Sequence, residues 1–131
     1  MKNLLIVLLI VLCACQSTTG KSDAKVTFPE TEYDFGQLEY KKPATYRFVV
    51  KNAGETPLII NNVETSCGCT VPEWTTKPIK PGKEGEIAIT YDSDFPGIFR
   101  KTITVFYNGM NSPDTLLIKG EVTTPEEMTQ N

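Results

Sequence analysis

Between Lys25 and Val122, apolar and polar side chains alternate with a period of two, the signature of strands with one buried face, and not with the 3.6 of a helix. Tyr46, Phe48 and Val50 fall on one side of a run whose other side carries Arg47 and Lys51. Ile87-Ala88-Ile89-Thr90-Tyr91 and Ile103-Thr104-Val105-Phe106-Tyr107 repeat the alternation, and Leu116, Ile118 and Val122 form the inward set of the last run. Turn-forming clusters separate these runs at Asn52–Pro57, Lys80–Lys83, Ser93–Gly97 and Asn108–Pro113. No amphipathic helix fits between them.

Shorter apolar segments at Lys25–Phe28, Tyr33–Phe35 and Leu58–Glu64 bring the expectation to about seven strands in roughly 100 residues. That count and spacing predict an all-β, immunoglobulin-like Greek-key β-sandwich over residues 25–122, with a small closed barrel as the alternative. Residues 123–131 read as a polar, frayed tail.

The N-terminus follows a different pattern. Leu4 to Leu12 form an unbroken apolar run of nine residues behind Lys2, too short for a membrane span of about 20 residues and suited to a secretory signal. The run ends in Leu12-Cys13-Ala14-Cys15, which resembles the bacterial lipobox: a branched apolar residue, a small residue before the cut, and the cysteine to be lipidated. Cys15 fits the acceptor position. Cys13 does not, because Leu12 would then occupy the cleavage position that requires a small side chain.

On that resemblance residues 1–14 are a signal peptide, and Cys15 carries a diacylglycerol thioether and an amide-linked acyl chain, enough for stable anchoring. Removing 14 of 131 residues leaves 117, and losing Lys2 moves the formal charge from −3 to −4. Residues 15–24 then form the lipidated cysteine and a flexible polar tether. No acidic run follows Cys15, which points to the periplasmic face of the cell envelope.

Composition narrows the chemistry. The chain contains no histidine, which removes Ser-His-Asp and Cys-His catalytic arrangements and every imidazole-ligated metal or haem. The negative net charge, with Lys41-Lys42 as the longest basic run, argues against a nucleic-acid partner.

With Cys13 removed and Cys15 acylated, the free thiols are Cys67 and Cys69, in Ser66-Cys67-Gly68-Cys69-Thr70 directly after a strand segment. In an extended segment residues i and i+2 face the same way, so the two sulfurs can converge, and Gly68 lets the backbone turn. Three uses stay open. The pair can form a disulfide in an oxidising envelope, where its small ring disfavours good geometry and makes it a labile redox pair instead of a staple. Two thiolates can hold Cu(I), with Met110 as a possible thioether donor, whereas zinc lacks two further ligands. Or both cysteines are small, partly buried residues that shape the strand end, with Ser66 and Thr70 making local hydrogen bonds.

This segment sits in register with Tyr33-Asp34-Phe35-Gly36, Asn52-Ala53-Gly54, Pro57-Leu58, Pro81-Gly82, Tyr91-Asp92, Gly97 and Lys101. The whole closely resembles the bacterial family known as domain of unknown function 1573 over nearly all of residues 28–122. The resemblance implies an immunoglobulin-like fold akin to Hydin-type modules, in envelope proteins that often bear lipobox signals. It implies no activity.

The other candidates read more simply as structure. Asp92 and Asp94 are turn residues at a strand exit, without the carboxylates a calcium site needs. Asp34-Phe35-Gly36 reads as a strand end, Pro81-Gly82 as a turn, and Trp74 as a core residue in preference to a ligand anchor. The expected function is therefore non-enzymatic and without cofactor: a lipid-anchored interaction module that contacts an envelope protein through its sheet faces or end loops. The competing expectation is a thiol redox or Cu(I)-handling protein acting through Cys67 and Cys69.

Overall fold

The computed structural model describes residues 24–129, so the expected signal peptide, Cys15 and nearly all of the tether lie outside the described residues. The strands are β1 (Val26–Thr27), β2 (Glu32–Glu39), β3 (Ala44–Asn52), β4 (Ile60–Thr65), β5 (Thr70–Trp74), β6 (Glu84–Tyr91), β7 (Gly97–Tyr107) and β8 (Asp114–Thr123), followed by one helical turn, Pro125–Met128. One sheet has the order β1-β3-β6-β5 and the other β2-β8-β7-β4. This is the strand arrangement of a constant-type immunoglobulin sandwich, with the first strand divided between the sheets as β1 and β2.

The expected inward faces meet in the interior. Phe48, Val50, Ile87 and Ile89 of the first sheet and Ile103, Val105, Leu116 and Ile118 of the second are fully buried, while Arg47 and Lys51 face solvent. Where the chain switches sheets between β1 and β2, aromatic rings close the seam. Tyr33 of β2 stacks on Tyr46 of β3 with centroids 3.5 Å apart, and Tyr46 donates a hydrogen bond to the Glu30 carboxylate in the crossover. Phe35 continues the row towards Phe99, whose ring stacks on Tyr91 at 3.8 Å.

Eight strands form instead of about seven. The additional one, β5, contains Pro72, which withholds a backbone donor and conceals the strand in a pattern reading; as the outer strand of its sheet, β5 pairs only with β6 and tolerates it. The segment expected to end at Phe35 also runs on. Gly36, at φ 65°, and the Asp34 carboxylate, which accepts from the Gly36 amide at 2.8 Å, form a bulge through which β2 continues to Glu39. Asp34 is thus a bulge residue, not a strand end.

Two boundaries shift as well. Ala24, assigned to the tether, is only 3% exposed and packs into the core. Thr123, assigned to the tail, is the last residue of β8, and its carbonyl accepts from the Tyr40 amide at 3.0 Å.

Candidate functional site

The cysteine loop joins β4 to β5 at one end of the sandwich. Cys67 and Cys69 are bonded as a disulfide with a Cα separation of 5.3 Å, inside the ordinary range. The loop is secured independently of the sulfurs. The Ser66 amide donates to the Thr102 carbonyl at 3.0 Å and the Thr102 amide returns a bond to the Ser66 hydroxyl at 3.1 Å. Thr65 Oγ1 donates to the carbonyls of Cys67 and Thr70, and the Asp92 amide donates to the Cys69 carbonyl at 2.9 Å. Cys69 packs against the core, and the buried Thr70 hydroxyl lies 3.6 Å from Cys67 Sγ.

Gly68 does not need glycine's freedom. It has no positive φ, and a Cβ there would meet nothing within 4 Å. The expected turn does form at Gly68-Cys69, in a backbone conformation that does not require glycine.

In the bonded state neither sulfur is a thiolate able to hold Cu(I). Met110, considered as a third donor, lies in the β7–β8 connection at the opposite end of the sandwich. Six residue steps along β7, from Thr102 to Asn108 just past its end, separate it from the cysteines by about 20 Å. Among the described residues, no three histidine, cysteine or carboxylate side chains converge as a metal site.

Beside the disulfide, the β2–β3 and β6–β7 connections are tied together. The Lys41 amide donates to the Ser93 carbonyl at 2.9 Å, and the buried Ser93 hydroxyl donates to the Glu39 carbonyl at 2.9 Å. Asp92 and Asp94 thus belong to a turn braced by backbone bonds. The next residues project outward: Phe95 is 73% exposed and Ile98 86%. Ile98 also rims a cavity of about 400 Å³ on the outer face of the second sheet, beside Asp34, Gln37, Arg100, Lys119 and Glu121. The cavity opens at the Gly36 bulge, which the pattern of the sequence did not reveal.

Lys119 also spans to Glu32 at 2.5 Å, and this bond holds the Glu32 carboxyl below its usual range. Trp74 points inward from β5 and packs against the core, half-exposed at the sheet margin.

The opposite end is organised by Asn52, a buried side chain the sequence presents merely as part of a turn. Its Nδ2 donates to the carbonyls of Thr56 and Ile79, both at 2.8 Å, and its Oδ1 accepts from the Gly54 amide at 3.0 Å. Ala24 lies at this end, against Gly109: a Cβ on Gly109 would collide with the Ala24 carbonyl. Nearby, burial and a 2.7 Å bond from its hydroxyl to Asp114 push the Tyr107 phenol well above its ordinary range.

A double sheet of this strand order, with a Cys-Gly-Cys loop closed at one end and the chain entering at the other, defines an immunoglobulin-like module. The chain belongs to the DUF1573 family of proteins of unknown function, whose profile matches residues 26–122. It is similar to a protein of unknown function from Porphyromonas gingivalis W83, at 19% identity and a TM-score of 0.69 over 82% of this chain and 51% of that one. It thus spans about half the length of that protein. The ASH, PapD-like domain 7 of human CEP192 gives a TM-score of 0.66 at 10% identity, over 78% of this chain and 87% of that one.

The secreted serine protease VesC of Vibrio cholerae gives 0.57 at 10% identity, over 79% of this chain and 25% of that one. These likenesses concern the fold. No curated protein matches.

Proposed function

We propose that the protein is a non-enzymatic lipoprotein of the cell envelope, anchored through Cys15 and facing the periplasm, which displays an immunoglobulin-like module to a protein partner. One observation carries this reading. The chain enters the domain at Ala24, buried at the end formed by the β3–β4, β5–β6 and β7–β8 connections, whereas Phe95 and Ile98 stand exposed towards the other end. A module rooted at one end suits presentation of its far end, where Phe95 and Ile98 offer large exposed apolar side chains for contact. The missing histidine and the wholly structural hydrogen bonding around Cys67 and Cys69 support a role without catalysis.

The test is cross-linking in native envelopes followed by affinity capture. A partner captured by the wild type should be lost with Phe95→Ser/Ile98→Ser and kept with Cys67→Ser/Cys69→Ser. Loss in the folded cysteine variant would transfer the function to the sulfur pair. Mass measurement of the Cys15 peptide reads the anchor directly.

A further inference from the structure

We propose that the Ala24 end of the sandwich is a second contact surface, which seats on the anionic headgroups of the bilayer carrying the anchor. The proposal rests on the lipoprotein reading above and deepens it. The loops at this end, with the entering chain, hold four exposed lysines, Lys25, Lys77, Lys80 and Lys83, against one carboxylate, Glu55. None of these lysines makes an ion pair among the described residues. The other charges nearby lessen this excess without cancelling it: Lys51 and Glu84 offset each other in a pair at 3.1 Å, and Asp114, which accepts from the neutral Tyr107 hydroxyl, adds one negative charge. This excess of positive charge lies in a chain whose formal net charge is −3, so it is a local polarity and not the general character of the surface.

Backbone bonds fix the segments that carry Lys25, Lys80 and Lys83 to one end. The Ala53 amide donates to the Lys25 carbonyl at 2.8 Å, the Gly82 amide to Asn52 at 3.0 Å, and the Lys83 amide to Lys80 at 3.0 Å. Lys25 and Met110, the latter 63% exposed, border a concavity of about 440 Å³ beside Ala24 and Tyr107. Lysines that share one end of the module with an exposed apolar side chain suit insertion at a charged interface, and Lys25 stands directly beside Met110 in that concavity.

The tether supplies the geometry. From Cys15 to Ala24 is nine residues, which reach no further than about 30 Å. Of the two ends, the basic one is therefore held within reach of the headgroups, and a short tether keeps its effective concentration there high. Seating this end would stand the module upright, with Phe95 directed away from the bilayer.

The experiment uses the mature acylated protein reconstituted into vesicles of phosphatidylcholine alone or with phosphatidylglycerol, each containing a headgroup-nitroxide lipid that quenches tryptophan. Met110→Trp and Phe95→Trp report the two ends, corrected for the signal of Trp74. With phosphatidylglycerol present, Met110→Trp should be quenched several-fold more than Phe95→Trp. That difference should disappear in Lys77→Gln/Lys80→Gln/Lys83→Gln and at 1 M salt, where the Debye length falls to about 3 Å.

Equal quenching at both ends, or a difference indifferent to phosphatidylglycerol and to the lysines, would overturn the proposal while an acylated Cys15 leaves the anchor intact. An unacylated Cys15, read from the mass of the starting protein, would overturn both.

Discussion

Opening the Cys67–Cys69 bond should cost this domain little. In the chain-entropy account a disulfide stabilises by restricting the unfolded state, and the restriction grows with the enclosed loop. Cys67 and Cys69 are separated by two in sequence, so the closed loop spans three residues and contributes about 1.6 kcal/mol, against about 4.7 kcal/mol for a loop of about 100 residues. The loop also keeps its other attachments on reduction, because the Ser66–Thr102 pair and the Asp92–Cys69 bond involve no sulfur. A domain of ordinary stability, about 5–15 kcal/mol, therefore remains folded.

Urea unfolding of the protein, followed through Trp74 fluorescence with and without a phosphine reductant, measures the effect. With a slope of about 1.5 kcal/mol per molar, the midpoint should fall by about 1 M. Cys67→Ala/Cys69→Ala should fall by a similar amount, plus a small loss where Cys69 packs on the core. Unfolding without denaturant, or a loss above about 4 kcal/mol, would refute the argument and show that the bond organises the sandwich. No shift at all would refute the entropic estimate.

Asn52→Ala should lose about 2 kcal/mol in the same assay, since the Thr56 carbonyl loses its donor and the Gly54 amide its acceptor, while the Ile79 carbonyl keeps the bond from the Leu58 amide. Gly120→Ala should cost about 1–3 kcal/mol, because its Cβ would lie 2.8 Å from both the Gly36 carbonyl oxygen and the Phe99 ring. Phe99→Leu in the same chain removes the ring contact, and a double-mutant cycle should show coupling of at least about 0.5 kcal/mol. Gly68→Ala should stay within about 0.5 kcal/mol of wild type, as its Cβ enters open space.

Stability should also fall in alkali. The Tyr107 phenol is raised in the folded state, so its contribution is complete below the ordinary phenol value of about 10 and disappears as the pH climbs through the folded value. Urea midpoints between about pH 9 and 11 should therefore decline, and Tyr107→Phe should flatten the decline.

Most of the sandwich is legible in its alternation, for a physical reason visible in β3 and β8: one face is buried, so residues two apart share one environment. The exceptions are positions where backbone chemistry and pattern conflict. Pro72 masks β5 because a proline looks like a terminator, and only the sheet order reveals that its missing donor faces no neighbour. Gly36 masks the second half of β2 because a glycine after Asp-Phe looks like a turn, although here it reverses φ inside a continuing strand.

The candidate site divides in the same way. The proximity of Cys67 and Cys69 follows from their spacing, but the state of the sulfurs does not. The basic end was not legible either: Lys25, Lys77, Lys80 and Lys83 are scattered along the chain and meet only when the β3–β4 and β5–β6 connections fold around Asn52.

The division of the first strand has a mechanical consequence. In the proposed arrangement, a load applied between an anchor on the Ala24 side and anything gripping the Phe95 end would act along the strands. β1 would carry it through two rungs to β3, at Val26–Asn52 and Thr27–Lys51, and β2 through six registered residues to β8 in parallel. Because β2 runs in the direction of that load, its bonds to β8 would be sheared together and not opened one by one. The crossover at Glu30, held to Tyr46, links the two grips, so tension entering at Ala24 is shared by both sheets before it reaches the core.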